Sequence, residues 1–541
     1  MARGPRPRRH HHPGPRPGGA ARPGAGGPAP RQLPAGDDAR APDHRARLRQ
    51  VRRAQPRARG PLRPHGRGGR DGAGAARGHR VDPRPALLTG GPANQKKRTD
   101  RDMAKAQTAD LAKIAKDKGI KYFQVSFIDL FGVMRAKLVP AAAIGEMQTA
   151  GAGFAGFATW LDMTPAHPDM FAVPDPDSLI QLPWNPEVGW LAADLWMDGA
   201  EVPQGPRNTL KRVIAAAEKE GKRLRHGVEC EFFLITPEGD AIADGADRQA
   251  KPCYDIQALM RRYEVIKAIC DAMQSLGWGA YQNDHEDANG QFEMNWEYDD
   301  ALVTADRHAF FKYMTKSIAE AHGLRATFMP KPFANLTGNG CHAHVSVWDK
   351  AGKKNLFDDP KGELGVSKAG YAFLGGLMAH APALAALAAP TVNSYKRLNA
   401  PRTLSGATWS PNTITYGGNN RTHMIRIPDA GRFEVRLGDG AVNPYLYPAA
   451  LLAAGLDGMA RDLDPGRRLD IDMYAEPHKA KGAKTLPLNL LDALRALEKN
   501  KTLTAAIGAE TVAAYIKLKT AEWNDYKAHL SDWERHHTLD C

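Results

Sequence analysis

The first 102 residues contain no glutamate and no phenylalanine, tyrosine or tryptophan. With 25 arginines and lysines against 7 aspartates, and only a few scattered leucines and valines to bury, that stretch cannot build a core. Its runs of Arg, Pro, Gly and Ala read as a disordered basic low-complexity extension over residues 1–102, non-native if the chain starts at Met103. The extension also carries the charge. The whole chain holds 74 Lys and Arg against 60 Asp and Glu, but 49 against 53 remain after residue 102, so a formal +14 becomes about −4. Nucleic acid is therefore not an expected partner of the folded part. No run of 18 or more apolar residues occurs, so no membrane partner is expected, and the Ala-rich residues 377–389 read as a packed helix. Cysteine is scarce: Cys230, Cys253, Cys270, Cys341 and Cys541 are odd in number and scattered. That spacing argues against a disulfide framework and for a reducing cytoplasm.

Past residue 103 the pattern is that of globular sequence. Leu111, Ala112, Ile114 and Ala115 predict a helix over residues 104–118 that ends at Gly119. Phe123, Val125 and Phe127 alternate with polar residues, a turn follows at Phe131-Gly132, and residues 133–139 alternate again, which predicts a hairpin. With apolar runs at 178–183 and 190–194 this makes a small mixed domain, taken as residues 107–203. From residue 208 to 541, helical stretches at 210–220 and 256–276 interleave with strands at 228–235 and 292–296, an α+β pattern.

Four blocks carry candidate chemistry. Glu229 and Glu231 in Gly227-Val228-Glu229-Cys230-Glu231 lie on one face of a strand, where neighbouring carboxylates repel unless a cation lies near; alone they are equally an exposed acidic face. Glu286 and Glu293 bracket an Asn289-Gly290 turn signal and could face one another across a hairpin as hard oxygen ligands. A solvated polar turn accounts for Glu286 and Asp287, but less well for Glu293, which is set among Phe292, Met294 and Trp296. A glycine-bearing loop, Gly338-Asn339-Gly340, leads into a strand with His342, His344 and Ser346 on one face, suited to a metal and a nucleotide. Arg397, Arg421, Arg426, Arg432 and Arg436 form a series fit for phosphate and carboxylate oxygens, although Arg432, Glu434 and Arg436 could equally be exposed ion pairs.

Together and in this order the blocks resemble the glutamine synthetase family over about residues 107–541. Within it the chain is most similar to the type III glutamate-ammonia ligases, through residues 151–157, 252–255 and 405–411. The resemblance implies a small N-terminal β-grasp domain followed by a large catalytic domain, a curved antiparallel sheet with helices. It implies an ATP-dependent ligase that joins ammonia to the γ-carboxylate of L-glutamate through γ-glutamyl phosphate, with two or more divalent ions, Mg²⁺ or in its place Mn²⁺. One ion falls to Glu231, Glu286 and Glu293, and a second to Glu229, His342 and Glu434. Arg397 and Gly338 fall to the substrate, Arg436 to its γ-carboxylate, and Arg421, Arg426 and Arg432 to phosphates, with Arg421, Arg397 and Arg436 as the catalytic arginines. His344 and Ser346 fall to the nucleotide. A cytoplasmic homo-oligomer, a double-ring dodecamer with active sites between subunits, is implied as well.

The chain departs from the family at the amine. Where members carry an Asp on the small domain this chain reads Phe154-Ala155-Gly156-Phe157, and no carboxylate lies between Arg397 and Arg421, where members carry a Glu on a closing loop. Ammonium is mainly protonated at neutral pH, so a site without carboxylates binds it weakly, and glutamate-methylamine ligation is the alternative activity. Thr337 stands where an Asn helps bind substrate, and the surroundings of Tyr474 do not match those of a modified tyrosine. A non-catalytic structural relative is a further alternative, against which the six converging ligands argue.

Overall fold

The structure is a computed structural model that describes residues 109–403, 405 and 408–541. The basic extension expected over residues 1–102 lies outside the described residues.

The first helix runs over Leu111–Lys118, its N-terminal amides capped by Asp110, whose side chain accepts from Ala112 N and Lys113 N. Gly119 ends it at φ 68°, the left-handed conformation expected of a glycine one step past a helix. Seven strands follow: β1 (Tyr122–Ile128), β2 (Met134–Pro140), β3 (Ala152–Phe154), β4 (Met170–Pro174), β5 (Ile180–Gln181), β6 (Val188–Met197) and β7 (Ala200–Glu201). They form one sheet in the order β2-β1-β6-β4-β3, with β5 and β7 also on β6. The β1–β2 pair is the expected hairpin, and β1 runs parallel to β6.

The second sheet has nine strands: β8 (Lys222–Ile235), β9 (Gln282–His285), β10 (Gln291–Asn295), β11 (Asp299–Asp300), β12 (Arg325–Thr327), β13 (Cys341–Asp349), β14 (Tyr416–Gly417), β15 (Ile425–Arg426) and β16 (Phe433–Val435). Its order is β14-β15-β16-β13-β8-β10-β9, with β11 and β12 on β8. Except for β14–β15 the pairings are antiparallel, as expected. Strand β8 is longer than its apolar pattern suggested because its first half, with Arg223 and Arg225, pairs with β13 as far as Asp349. One continuous apolar core reaches from Leu111 to Tyr515 and takes in residues of both sheets.

The predicted helix over 256–276 is two helices, Ile256–Arg261 and Tyr263–Ser275. Arg262 interrupts it at φ −111°, ψ 14°, with its guanidinium donating to Ala243 O. The apolar helix read over 377–389 begins earlier, at Lys368, and ends at Ala388; its 21 residues could span a bilayer by length and composition, but most of them are buried in the core. Its partner is the helix Leu446–Arg461. A Cβ on Gly376 would lie 2.1 Å from Ala454 O and one on Gly458 2.2 Å from Ala372 O, so glycine lets these backbones meet.

A buried ionic cluster ties the first sheet to the helices beside it. Arg207 binds Asp194 on β6 at 2.7 Å, Asp175 at 2.8 Å and Asp306 of the helix Ala301–Ala321 at 2.9 Å. Tyr445 donates to Asp306 at 2.8 Å.

Candidate active site

The face of the second sheet is set by register. Glu229 on β8 pairs with His342 on β13, and Glu231 on β8 pairs with Glu293 on β10. On the other flank, His344 pairs with Glu434 on β16, and Glu434 with Arg426 on β15. Residues directly opposite in a ladder share a face, so five adjacent strands project acid, imidazole and guanidinium groups together. Alternation sends Cys230 and Cys341 the other way, where both sulfurs stand 3.6 to 3.8 Å from His308 Nε2 in the core.

Two groups result. One ligand atom each from Glu229, His342 and Glu434 lie within 4.8 Å of one another, and so do one each from Glu231, Glu286 and Glu293. The expected pairing of Glu286 with Glu293 across the hairpin is corrected by the register, since Glu293 faces Asp284 on β9. Glu286 joins Glu293 from the turn instead, where Gly290 at φ 75° completes the Asn-Gly reversal.

The charges are arranged unequally. Burial pushes the Glu231 carboxyl up to about 7. Burial first, and then the neighbouring carboxylates, hold Glu286 and Glu293 well above their ordinary range. In the other group burial is overcome: hydrogen bonds from His342 and His344 hold Glu229 well below that range, and Arg436 and His342 bring Glu434 to about 2. Burial, then the Arg436 charge, lower His342 to about 4, so its imidazole is neutral at pH 7. His342 Nδ1 lies 3.3 Å from Glu229 and 3.6 Å from Glu434, while its buried Nε2 has no partner. The orphan nitrogen and three crowded carboxyls fit divalent cations bound by oxygen and one imidazole.

Supporting contacts fix the first carboxyls. Gln291, fully buried, donates to Glu231 at 2.9 Å, to Asn339 Oδ1 at 3.0 Å and to Gly338 O at 3.2 Å. Gly340 N donates to Glu231 at 2.6 Å, and Asn295 Nδ2 to Glu293 at 3.0 Å. Gln291 and Asn295 were not singled out from sequence, although they precede and follow the ligand position Glu293 by two.

The arginines separate into three situations. Arg397 and Arg436 are buried: Arg397 donates at 3.4 Å to Leu437 O and Arg436 O, and Arg436 to Glu434 and, at 3.4 Å, to Trp409 O. The exposed charged strand considered for Arg432, Glu434 and Arg436 is therefore not found; Glu434 is fully buried between Arg436 and Arg426, the latter at 2.5 Å. Arg432 is tied to Asp429 and, at 2.8 Å, to His344 Nδ1. Arg421 is exposed and meets none of these side chains in a hydrogen bond among the described residues.

Beside the second group opens a cavity of about 430 Å³ lined by Glu229, His344, Ser346 and Arg432 together with Tyr281, Tyr298, Trp348 and Asn355. Its aromatic walls and charged rim are of a size for a nucleotide, and Ser346 accepts from Trp348 Nε1 at 2.9 Å. His344, expected at the nucleotide alone, also donates to Glu229 at 2.8 Å and so belongs to both regions.

Comparison with known proteins shows the family. The family model "Glutamine synthetase, catalytic domain" matches residues 203–538. A glutamine synthetase of Rhizobium leguminosarum bv. phaseoli is 66% identical over 433 residues, 80% of this chain and 100% of the relative. A glutamate--methylamine ligase of Methyloversatilis universalis is 44% identical over 428 residues, 77% of this chain and 96% of its own. A solved structure described as a GmaS/ADP complex, 68% identical, superposes with a TM-score of 0.78 over 80% of this chain and 100% of its own. The chain, with its two acidic groups on one sheet face, belongs to the glutamine synthetase family.

Proposed function

We propose that this chain joins a small amine to the γ-carboxylate of L-glutamate at the expense of ATP, and that the amine is methylamine. The ligase reading is carried by the two three-residue groups on one sheet face with Arg397 and Arg436 buried beside them. Glu231, Glu286 and Glu293 would hold one divalent cation and Glu229, His342 and Glu434 another, Mg²⁺ or Mn²⁺ by their donor set. Such ions neutralise phosphoryl and carboxylate oxygens when bound.

The chain's own residues position the reactants. Arg397 takes the α-carboxylate of glutamate, Arg436 its γ-carboxylate, and Arg421, Arg426 and Arg432 the phosphates. His344 and Ser346 border the nucleotide cavity. Gly338 gives room at the substrate, since a Cβ there would lie 3.2 Å from Arg397 Cγ and 2.2 Å from Pro330 O. The γ-carboxylate oxygen attacks the terminal phosphorus of ATP and ADP leaves. The amine nitrogen then attacks the acyl carbon of γ-glutamyl phosphate, the C–O bond to phosphate breaks, and a proton is lost. Water would consume the acyl phosphate, so it must be kept out.

Glutamine formation is the activity implied by the family subgroup, and the Rhizobium relative carries that name. Two observations favour methylamine. Residues 398–420 hold no carboxylate to bind ammonium. The Trp409 carbonyl accepts from Arg436 at 3.4 Å, so this carboxylate-free segment reaches the arginine assigned to the γ-carboxylate. A cytoplasmic double ring with sites shared between subunits completes this reading.

The test is ATP-dependent phosphate release by purified protein with glutamate and Mg²⁺, comparing methylamine with ammonium. Methylamine should win by about ten-fold or more in kcat/KM, the discrimination one methyl group supports. A preference for ammonium restores glutamine synthesis. Glu229→Gln should abolish turnover with both amines; retained turnover would remove the cation assignment.

A further inference from the structure

Asp287 read from sequence as part of a solvated polar turn, but it is only 7% exposed. Its Oδ2 accepts from Thr337 Oγ1 at 2.6 Å and from Ser405 Oγ, and it forms no ion pair among the described residues. A buried carboxylate without a cation is costly, and two hydroxyl donors offset only part of that cost. Its position is at the site. The Asp287 amide donates to Glu286 at 2.8 Å, Thr337 adjoins Gly338, and the Thr337 hydroxyl also meets Thr403 Oγ1 at 3.2 Å. Three chain segments thus bring a carboxylate and three hydroxyls together next to the carboxyl group of Glu286.

We propose that Asp287 is the side chain that recognises the protonated amine, with the hydroxyls of Thr337, Thr403 and Ser405 as further acceptors for its N–H groups. This rests on the ligase reading above. An alkylammonium brings the positive charge that the carboxylate lacks and N–H donors for oxygen acceptors. The role is binding and selection among amines. A Mg²⁺ ion is a poorer occupant, because the three crowded carboxyls of Glu231, Glu286 and Glu293 are a stronger site a few ångströms away.

The experiment uses the full chain and its Asp287→Asn variant, near in shape and still able to accept from Thr337 and Ser405. Phosphate release with glutamate and ATP is followed against methylammonium, ammonium and hydroxylamine near pH 7.5, where hydroxylamine is uncharged. The expected result is a rise of about ten-fold or more in KM for both cationic amines, with the KM values for hydroxylamine, glutamate and ATP changed by less than about three-fold. Asp287→Glu, which keeps the charge, should recover part of the loss. An unchanged KM for methylammonium overturns the proposal, as does an equal loss with hydroxylamine or a variant inactive with every amine, since each marks a structural role. If the unaltered chain releases no phosphate with any amine, the ligase reading itself falls.

Discussion

Gly340 offers a sharp test of how the site is assembled. It stands between the two acidic groups: a Cβ added there would lie 2.7 Å from His342 Nε2, 2.9 Å from Glu231 Oε1 and 3.2 Å from Arg397 Nη2. The first two distances fall short of ordinary carbon contacts by roughly 0.5 to 1 Å, so both side chains must shift by about that much. These are one donor from each group and the arginine assigned to glutamate. Displacement of reacting groups by about 1 Å costs on the order of 10²-fold in rate. Gly340→Ala should therefore lower kcat/KM by about 100-fold and weaken Mg²⁺. The positive-φ glycines do not include Gly340, and the crowded atoms are side-chain ends, so stability should change by less than about 1 kcal/mol. Phosphate-release kinetics over a Mg²⁺ titration, with thermal melts of both proteins, measure these quantities. Activity within about five-fold of the parent would refute convergence at this glycine. Lost activity together with a collapsed melting temperature would show that the residue serves folding instead.

Two further outcomes follow from charge burial. Without divalent ions the raised carboxyl of Glu231 favours its neutral form in the folded state, so its contribution is complete below the ordinary 4.5 and is lost as pH rises towards about 7. Melts in chelator should fall over that window and the fall should shrink with Mg²⁺; a flat profile in chelator would contradict the burial of this carboxyl. Arg207→Met leaves Asp175, Asp194 and Asp306 without their shared cation and should destabilise the fold by about 3–5 kcal/mol in denaturant titration, whereas a change under about 1 kcal/mol would show that the cluster adds no cohesion between the first sheet and its helices.

Much of the site was legible because ladder periodicity is local. Two residues apart on one strand means one face, which placed Glu229 with Glu231 and His342 with His344 before any fold was known. Helix punctuation was equally direct at Asp110 and Gly119, where side-chain caps and a left-handed backbone leave residue signatures. Register was not legible. Nothing within the segment 285–293 says that Glu293 faces Asp284 and Glu231 and leaves Glu286 to reach in from the turn, because pairing depends on distant strands. The break at Arg262 escaped for the same reason, its guanidinium being drawn to a carbonyl nineteen positions away.

The sequence by itself determined the strand faces, the ligand types and the family, since these depend on residue identity and short spacing. Only the tertiary structure decided which charges are buried. It put Glu434 between two arginines, left His342 Nε2 unpartnered, and turned Asp287 from a turn residue into a buried carboxylate held by two hydroxyls. Burial and its electrostatic cost arise from packing between segments far apart in the chain, and no local pattern of residues encodes them.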